Sequence, residues 1–142
     1  MRLLFKLLGF ALIVLTTTAI GFLKSYYLNM RYKKLCSLKN SLADLKQRIR
    51  LSYGEIDELL AVSFKDTPDL YSYLEKSDIE IIDNFLKNIG MSDTKAECER
   101  CELYISLLDA QIIKAQKNYN ELNKLYKSVG FMGGLFICIF FL

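Results

Sequence analysis

Cys98-Glu99-Arg100-Cys101 places two thiols three residues apart, a spacing at which one helical face can share a soft metal ion or close a disulfide. A tetrahedral zinc site needs four ligands, and no second such pair exists. Cys36 falls opposite the middle of the helix that carries Cys98, and Cys138 lies in an apolar terminal stretch. The expectation is therefore small buried residues in a reducing cytosol, with no metal or redox role. Glu97, Glu99 and Glu102 are the other chemically interesting group. They read as solvated helix positions with no pocket residues beside them, and as the surface that docks a partner. The chain has no histidine, which removes the commonest general base and every Ser-His or Cys-His nucleophile pair. With no phosphate-cradling glycine loop either, the expectation is a protein that is not an enzyme and takes no cofactor.

What must position these groups is set by two apolar stretches, residues 3–23 and 128–142, which leave only Arg2 and Lys6 of the charged residues outside the middle. The first is about 31 Å long as a helix, enough for a bilayer core of about 30 Å. The second, about 22 Å, is a short membrane anchor that needs local thinning or an earlier start near Tyr126. The predicted organisation is a transmembrane helix over 1–23, one helical domain over 24–127, and a second transmembrane or anchoring helix over 128–142.

Lys24, Arg31, Lys33, Lys34 and Lys39 follow the first stretch, and Lys114, Lys117, Lys124 and Lys127 precede the second. Positive charge beside a membrane end is retained on the cytoplasmic side, so the middle is expected there. A cleaved signal peptide is the rival for the N-terminus, since Thr17-Thr18-Ala19 resembles a cleavage site. The apolar run continues to Leu23 and a basic cluster follows, which reads as a stop-transfer flank instead.

Charge is polarised along the middle. Residues 24–50 hold eight basic and one acidic side chain, residues 51–109 five and fourteen, and residues 110–127 four and one. The basic ends suit anionic headgroups, whereas the acidic tip attracts a basic protein surface and repels nucleic acid.

Periodicity predicts an all-α bundle built on a long antiparallel helix pair. Leu35, Leu38, Leu42, Leu45 and Ile49 recur at three- and four-residue steps, after Leu28. Cys101, Ile105, Leu108, Ile112, Ala115, Tyr119, Leu122, Tyr126 and Val129 repeat the pattern, so Leu38 and Leu42 are expected against the region 112–119. Between the stripes, Tyr53-Gly54 ends the first helix and residues 56–64 form a short one. Thr67-Pro68 offers an N-cap, and Ser77 with Glu80 forms a capping box for a helix over 78–89. Gly90 supplies a positive φ, and Ser92 or Asp93 caps the return helix. Ile79, Ile82, Phe85, Leu86 and Ile89 then close the bundle.

In the terminal stretches, Thr17 with Gly21 and Gly130 with Gly134 place small residues one turn apart, which lets helix backbones approach closely in lipid. Gly9 is a further candidate.

Leu8-Gly9, Gly21, the run 38–45 leading to Ile49-Arg50-Leu51-Ser52-Tyr53-Gly54, the Ile89-Gly90-Met91-Ser92-Asp93 turn and above all Leu125-Tyr126-Lys127-Ser128-Val129-Gly130-Phe131-Met132-Gly133-Gly134-Leu135 resemble the stage III sporulation protein AB family. The resemblance covers nearly the whole chain. Where the family commonly has Pro-Leu soon after Tyr-Gly, this chain has Glu55-Ile56-Asp57. The resemblance implies endospore formation, in the mother-cell membrane facing the forespore, within a secretion-like channel that also contains stage II sporulation protein Q. It implies a cytoplasmic domain similar to type II secretion platform domains, a partner ATPase (stage III sporulation protein AA) and other stage III channel components. The alternative from another class is a membrane-anchored regulatory or scaffold protein with a cytosolic signalling partner.

Overall fold

The computed structural model describes residues 2–51, 54–65 and 69–141. Four helices follow in order: α1 (Arg2–Leu51), α2 (Ile56–Ser63), α3 (Lys76–Asn88) and α4 (Thr94–Phe141). Among the described residues there is no strand. The chain divides into two compact units, Arg31–Ala115 and the pair of segments Met1–Met30 and Gln116–Leu142. α1 and α4 each contribute to both.

In the unit Arg31–Ala115 the expected stripe on α1 is the core. Leu35, Leu38, Leu42, Leu45 and Ile49 are all buried, because steps of three and four keep them on one face. They pack with Cys101, Leu108, Ile112 and Ala115 of α4, Leu59 of α2, and Leu74, Ile82 and Phe85. The two long helices are antiparallel here: Lys39 pairs with Asp109 at 2.6 Å, and Lys46 reaches Glu102. That register corrects the expected one. Leu38 and Leu42 border the same small cavity as Tyr104 and Leu108, one to two turns before the region 112–119. The repeated apolar spacing permits several registers, and the lysine-carboxylate pairs suit this one. Phe85 meets the Tyr104 ring edge-on, with centroids 5.2 Å apart.

Local signals set the connections. Gly54 and Gly90 both take positive φ, 102° and 86°, where a Cβ would be strained. Asp93 caps α4 by accepting the Ala96 N–H at 3.3 Å. The start of α3 corrects the expectation: the helix begins at Lys76, two residues before the predicted start. Asp78 accepts the Glu75 N–H at 3.0 Å, so the capping residues are Glu75 and Asp78 rather than Ser77 and Glu80. Both pairs have the same spacing, and only Asp78 has a buried cation to hold it in place. The expected caps at Tyr53 and Thr67-Pro68 lie outside the described residues.

In the other unit, α1 and α4 again run antiparallel. Ser25 donates to the Asn123 side-chain carbonyl, and the Lys127 ammonium lies 5.3 Å from the Phe22 ring centre. The surface of this unit is apolar: Leu8, Leu12, Leu15, Ile20, Leu23, Phe131, Met132, Phe136 and Ile139 are all exposed. Val129 is exposed with them and leaves the expected stripe. Within Leu8–Leu51 lies a segment apolar enough to cross a bilayer, and little of it is buried by protein.

Candidate functional site

The three tip carboxylates differ sharply in surroundings. Glu97 corrects the reading of solvated positions, since it is fully buried. Its Oε1 accepts the Ser92 backbone N–H at 3.0 Å and an Arg100 guanidinium N–H at 2.7 Å. It sits in the first turn of α4, where a carboxylate complements unpaired N–H groups and the helix dipole. Arg100 also donates to the Asn88 carbonyl and, at 3.3 Å, to the Ser92 hydroxyl, so this cluster fastens the α3 to α4 turn. Glu97 further lines a cavity of about 220 Å³ with Ile49, Gly54, Ile56, Leu59, Ser92 and Thr94. Glu99 is exposed on the same helix. Glu102 is exposed too, and the hydrogen bond from Lys46 holds its carboxyl below the usual range.

A second charged cluster has no counterpart in the sequence-based reading. Arg31, taken there as a membrane-flanking charge, is 1% exposed. Its Nη1 donates to Glu75 at 2.7 Å, while Nε and Nη2 grip the two Asp78 oxygens at 2.9 and 3.1 Å. A fork of two parallel bonds is the strongest form of such a pair. Arg31 and Asp78 are 47 positions apart, and only an arginine on the same helical face as Leu35 and Leu38 hinted that it turns inward. Asp44 is the third: Arg48 and the Ser63 hydroxyl both donate to it, and Arg48 chiefly draws its carboxyl below the ordinary value.

Cys36, Cys98 and Cys101 are all free. Cys98 directs its thiol at the Lys46 carbonyl, 3.9 Å away. Cys101 is completely buried, and that burial pushes its thiol up to about 11. Among the described residues no group of three or more His, Cys, Asp or Glu side chains converges to hold a metal ion.

The small residues of the terminal segments do come together. A Cβ on Gly21 would stand 2.5 Å from the Tyr126 carbonyl oxygen, and one on Gly130 2.9 Å from that of Thr17. At Gly134 it would meet the Thr17 hydroxyl at 2.9 Å and Val14 at 3.1 Å. Thr17 turns its hydroxyl back to the Ile13 and Val14 carbonyls, which satisfies it without water. These positions bring the backbones of α1 and α4 into direct contact. Gly9, by contrast, has nothing within 4 Å.

A family model described as stage III sporulation protein AB matches residues 6–71 and 65–142, so the chain belongs to that family. No curated protein and no solved structure matches it. It is thus a stage III sporulation protein, and its apolar N-terminal helix fits a membrane location.

Proposed function

We propose that the chain is a non-enzymatic membrane component of a secretion-like channel between mother cell and forespore, acting as a platform for a cytoplasmic ATPase. In this reading residues 24–127 are the cytoplasmic platform domain, similar to those of type II secretion systems, and the chain sits in the mother-cell membrane that faces the forespore. Residues 128–142 form the second membrane anchor. The partners are stage III sporulation protein AA and other stage III channel components.

One observation carries the reading beyond the family: α1 is a single uninterrupted helix from an apolar, protein-unburied segment into a packed, ion-paired core. A continuous helix is a physical link through which an ATP-driven displacement of the domain reaches the bilayer. The acidic tip supplies the docking charge, with Glu99 and Glu102 on the surface and Asp57 and Glu58 in the first turn of α2.

The test is co-purification of the ATPase with the full-length chain in detergent. Reversal of Glu99 and Glu102 to Lys is expected to lower retention at least fivefold. Unchanged retention removes the tip as the docking surface, and co-purification of a signalling protein in place of ring components favours the regulatory reading.

A further inference from the structure

Charge near the end of α1 is sorted to two sides of that helix. On one side an open groove of about 440 Å³ is lined by Ala43, Lys46, Gln47, Arg50 and Leu51 of α1 and by Ile105 of α4. Arg50 and Leu51 are exposed there. The Lys46 ammonium is engaged by Glu102, so Arg50 is the cation the groove offers, next to the apolar Ala43 and Ile105.

On the other side lies α2. Its Ser63 hydroxyl donates to Asp44 at 2.9 Å, and its Ile56 and Leu59 border the same cavity as Ile49. At about 100° per residue, Asp44 and Ile49 stand on a side of α1 roughly opposite Ala43, Gln47 and Arg50. The outward surface of α2 consists of Asp57, Glu58, Ala61 and Val62, all exposed. Each carboxylate is followed one turn later by an apolar residue.

The two surfaces complement each other in charge and in level. Because α2 runs back along α1 from Ile49 to Asp44, its acidic turn is level with Arg50, and Ala61 and Val62 are level with Ala43. Copies rooted in one membrane stand the same way up and at the same height, so a contact between them joins surfaces at one level. We propose that copies of this chain associate head to tail, α2 of one copy seated in the α1 to α4 groove of the next. Asp57 and Glu58 then face Arg50, and Ala61 and Val62 cover Ala43 and Ile105. A contact between unlike surfaces, repeated about an axis along the membrane normal, closes into a ring. With only eight residues in α2 the interface is small, and it depends on confinement in the membrane, which raises the local concentration of copies. The inference goes beyond the ATPase reading and needs only the membrane location, since Glu99 and Glu102 lie on α4.

The experiment is disulfide trapping of the full-length chain in membranes, in a background without the four native cysteines. Ala43→Cys together with Val62→Cys is expected to give a ladder of dimers, trimers and larger species on mild oxidation, and neither substitution alone should do so. Arg50→Glu should lower the ladder at least fivefold, and adding Asp57→Lys and Glu58→Lys should restore it. A second readout keeps the native cysteines and covers failure of that background to fold: Arg50→Lys with a zero-length carbodiimide should yield an intermolecular link from position 50 to Asp57 or Glu58, mapped by mass spectrometry. Monomers alone in both readouts, dimers of equal yield from Ala43→Cys by itself, or no recovery in the charge-swapped variant overturns the proposal. No ATPase is present, so failure removes the contact between copies while the Glu99 and Glu102 reversal still decides the docking reading.

Discussion

Arg31 and Asp78 meet through two near-parallel hydrogen bonds, Nε to Oδ2 at 2.9 Å and Nη2 to Oδ1 at 3.1 Å, with both side chains shut off from solvent. The same Asp78 carboxyl caps α3 by accepting the Glu75 N–H. One residue thus sets where α3 begins and ties it to α1.

Breaking that pair from one side leaves a buried charge uncompensated. Arg31→Met is expected to destabilise the domain by about 3–5 kcal/mol. The double variant Arg31→Met with Asp78→Leu should recover most of that, leaving a deficit of about 1 kcal/mol for the lost cap. Hydrogen exchange of the α3 amides in the full-length chain measures both. Equal losses in the single and double variants would show that packing of the arginine stem, not its charge, carries the effect.

Much of this architecture was legible because it is local. The spacing of Leu35, Leu38, Leu42, Leu45 and Ile49 encodes a buried face directly, and Gly90 and Asp93 signal the turn and the cap of α4. The register of α1 on α4 was not legible, since a stripe repeating every three to four residues pairs almost equally well one or two turns away. What selects it is contact between distant residues, Lys39 with Asp109 and Lys46 with Glu102. Glu97 and Arg31 were misjudged for the same reason. Each is a charged residue whose partner and burial arise only after the chain has folded back on itself. The Glu97 reach to Ser92 had a sequence signal, an acidic residue in the first turn after a cap, but that signal says nothing of burial.

Gly21 makes a separate prediction for the terminal segments. Gly21→Ala forces a methyl group to within 2.5 Å of the Tyr126 carbonyl, which is backbone and must move. A cost of about 1–3 kcal/mol to the α1 to α4 contact is expected, as for other overpacked sites. Disulfide formation between Ser25→Cys and Asn123→Cys, in a background without the four native cysteines, should fall severalfold. Gly9→Ala and Gly133→Ala, with open space around them, should leave it unchanged. A similar drop in all of these variants would mean that the close approach at Gly21 does not govern the yield.

Phe85 tests the core from the α3 side. It is 2% exposed and wedged among Leu38, Leu42 and Leu108, with Tyr104 edge-on. Phe85→Ala should cost about 3–5 kcal/mol in denaturant unfolding, and Leu86→Ala, half-buried on the same helix, distinctly less. A reversed order would place the centre of the bundle elsewhere.

Cys101 gives the domain a pH dependence of defined sign. Its thiol ionises near 9.0 when exposed and at about 11 in the fold, chiefly because burial disfavours the thiolate and secondarily because Cys98 and Glu97 lie close. Between those values the unfolded chain releases a proton that the folded chain keeps, so deprotonation favours unfolding. The contribution is therefore complete below pH 9 and is lost as pH rises through the window to about 11, at about 1.4 kcal/mol per unit. Stability measured from pH 8 to 11 should fall more steeply in the native chain than in Cys101→Ala, which starts lower because of its smaller side chain but lacks this ionisation. Parallel slopes for the two proteins would show that Cys101 does not titrate on unfolding. As an independent readout, a small alkylating reagent at pH 8 should modify Cys101 only after denaturant is added.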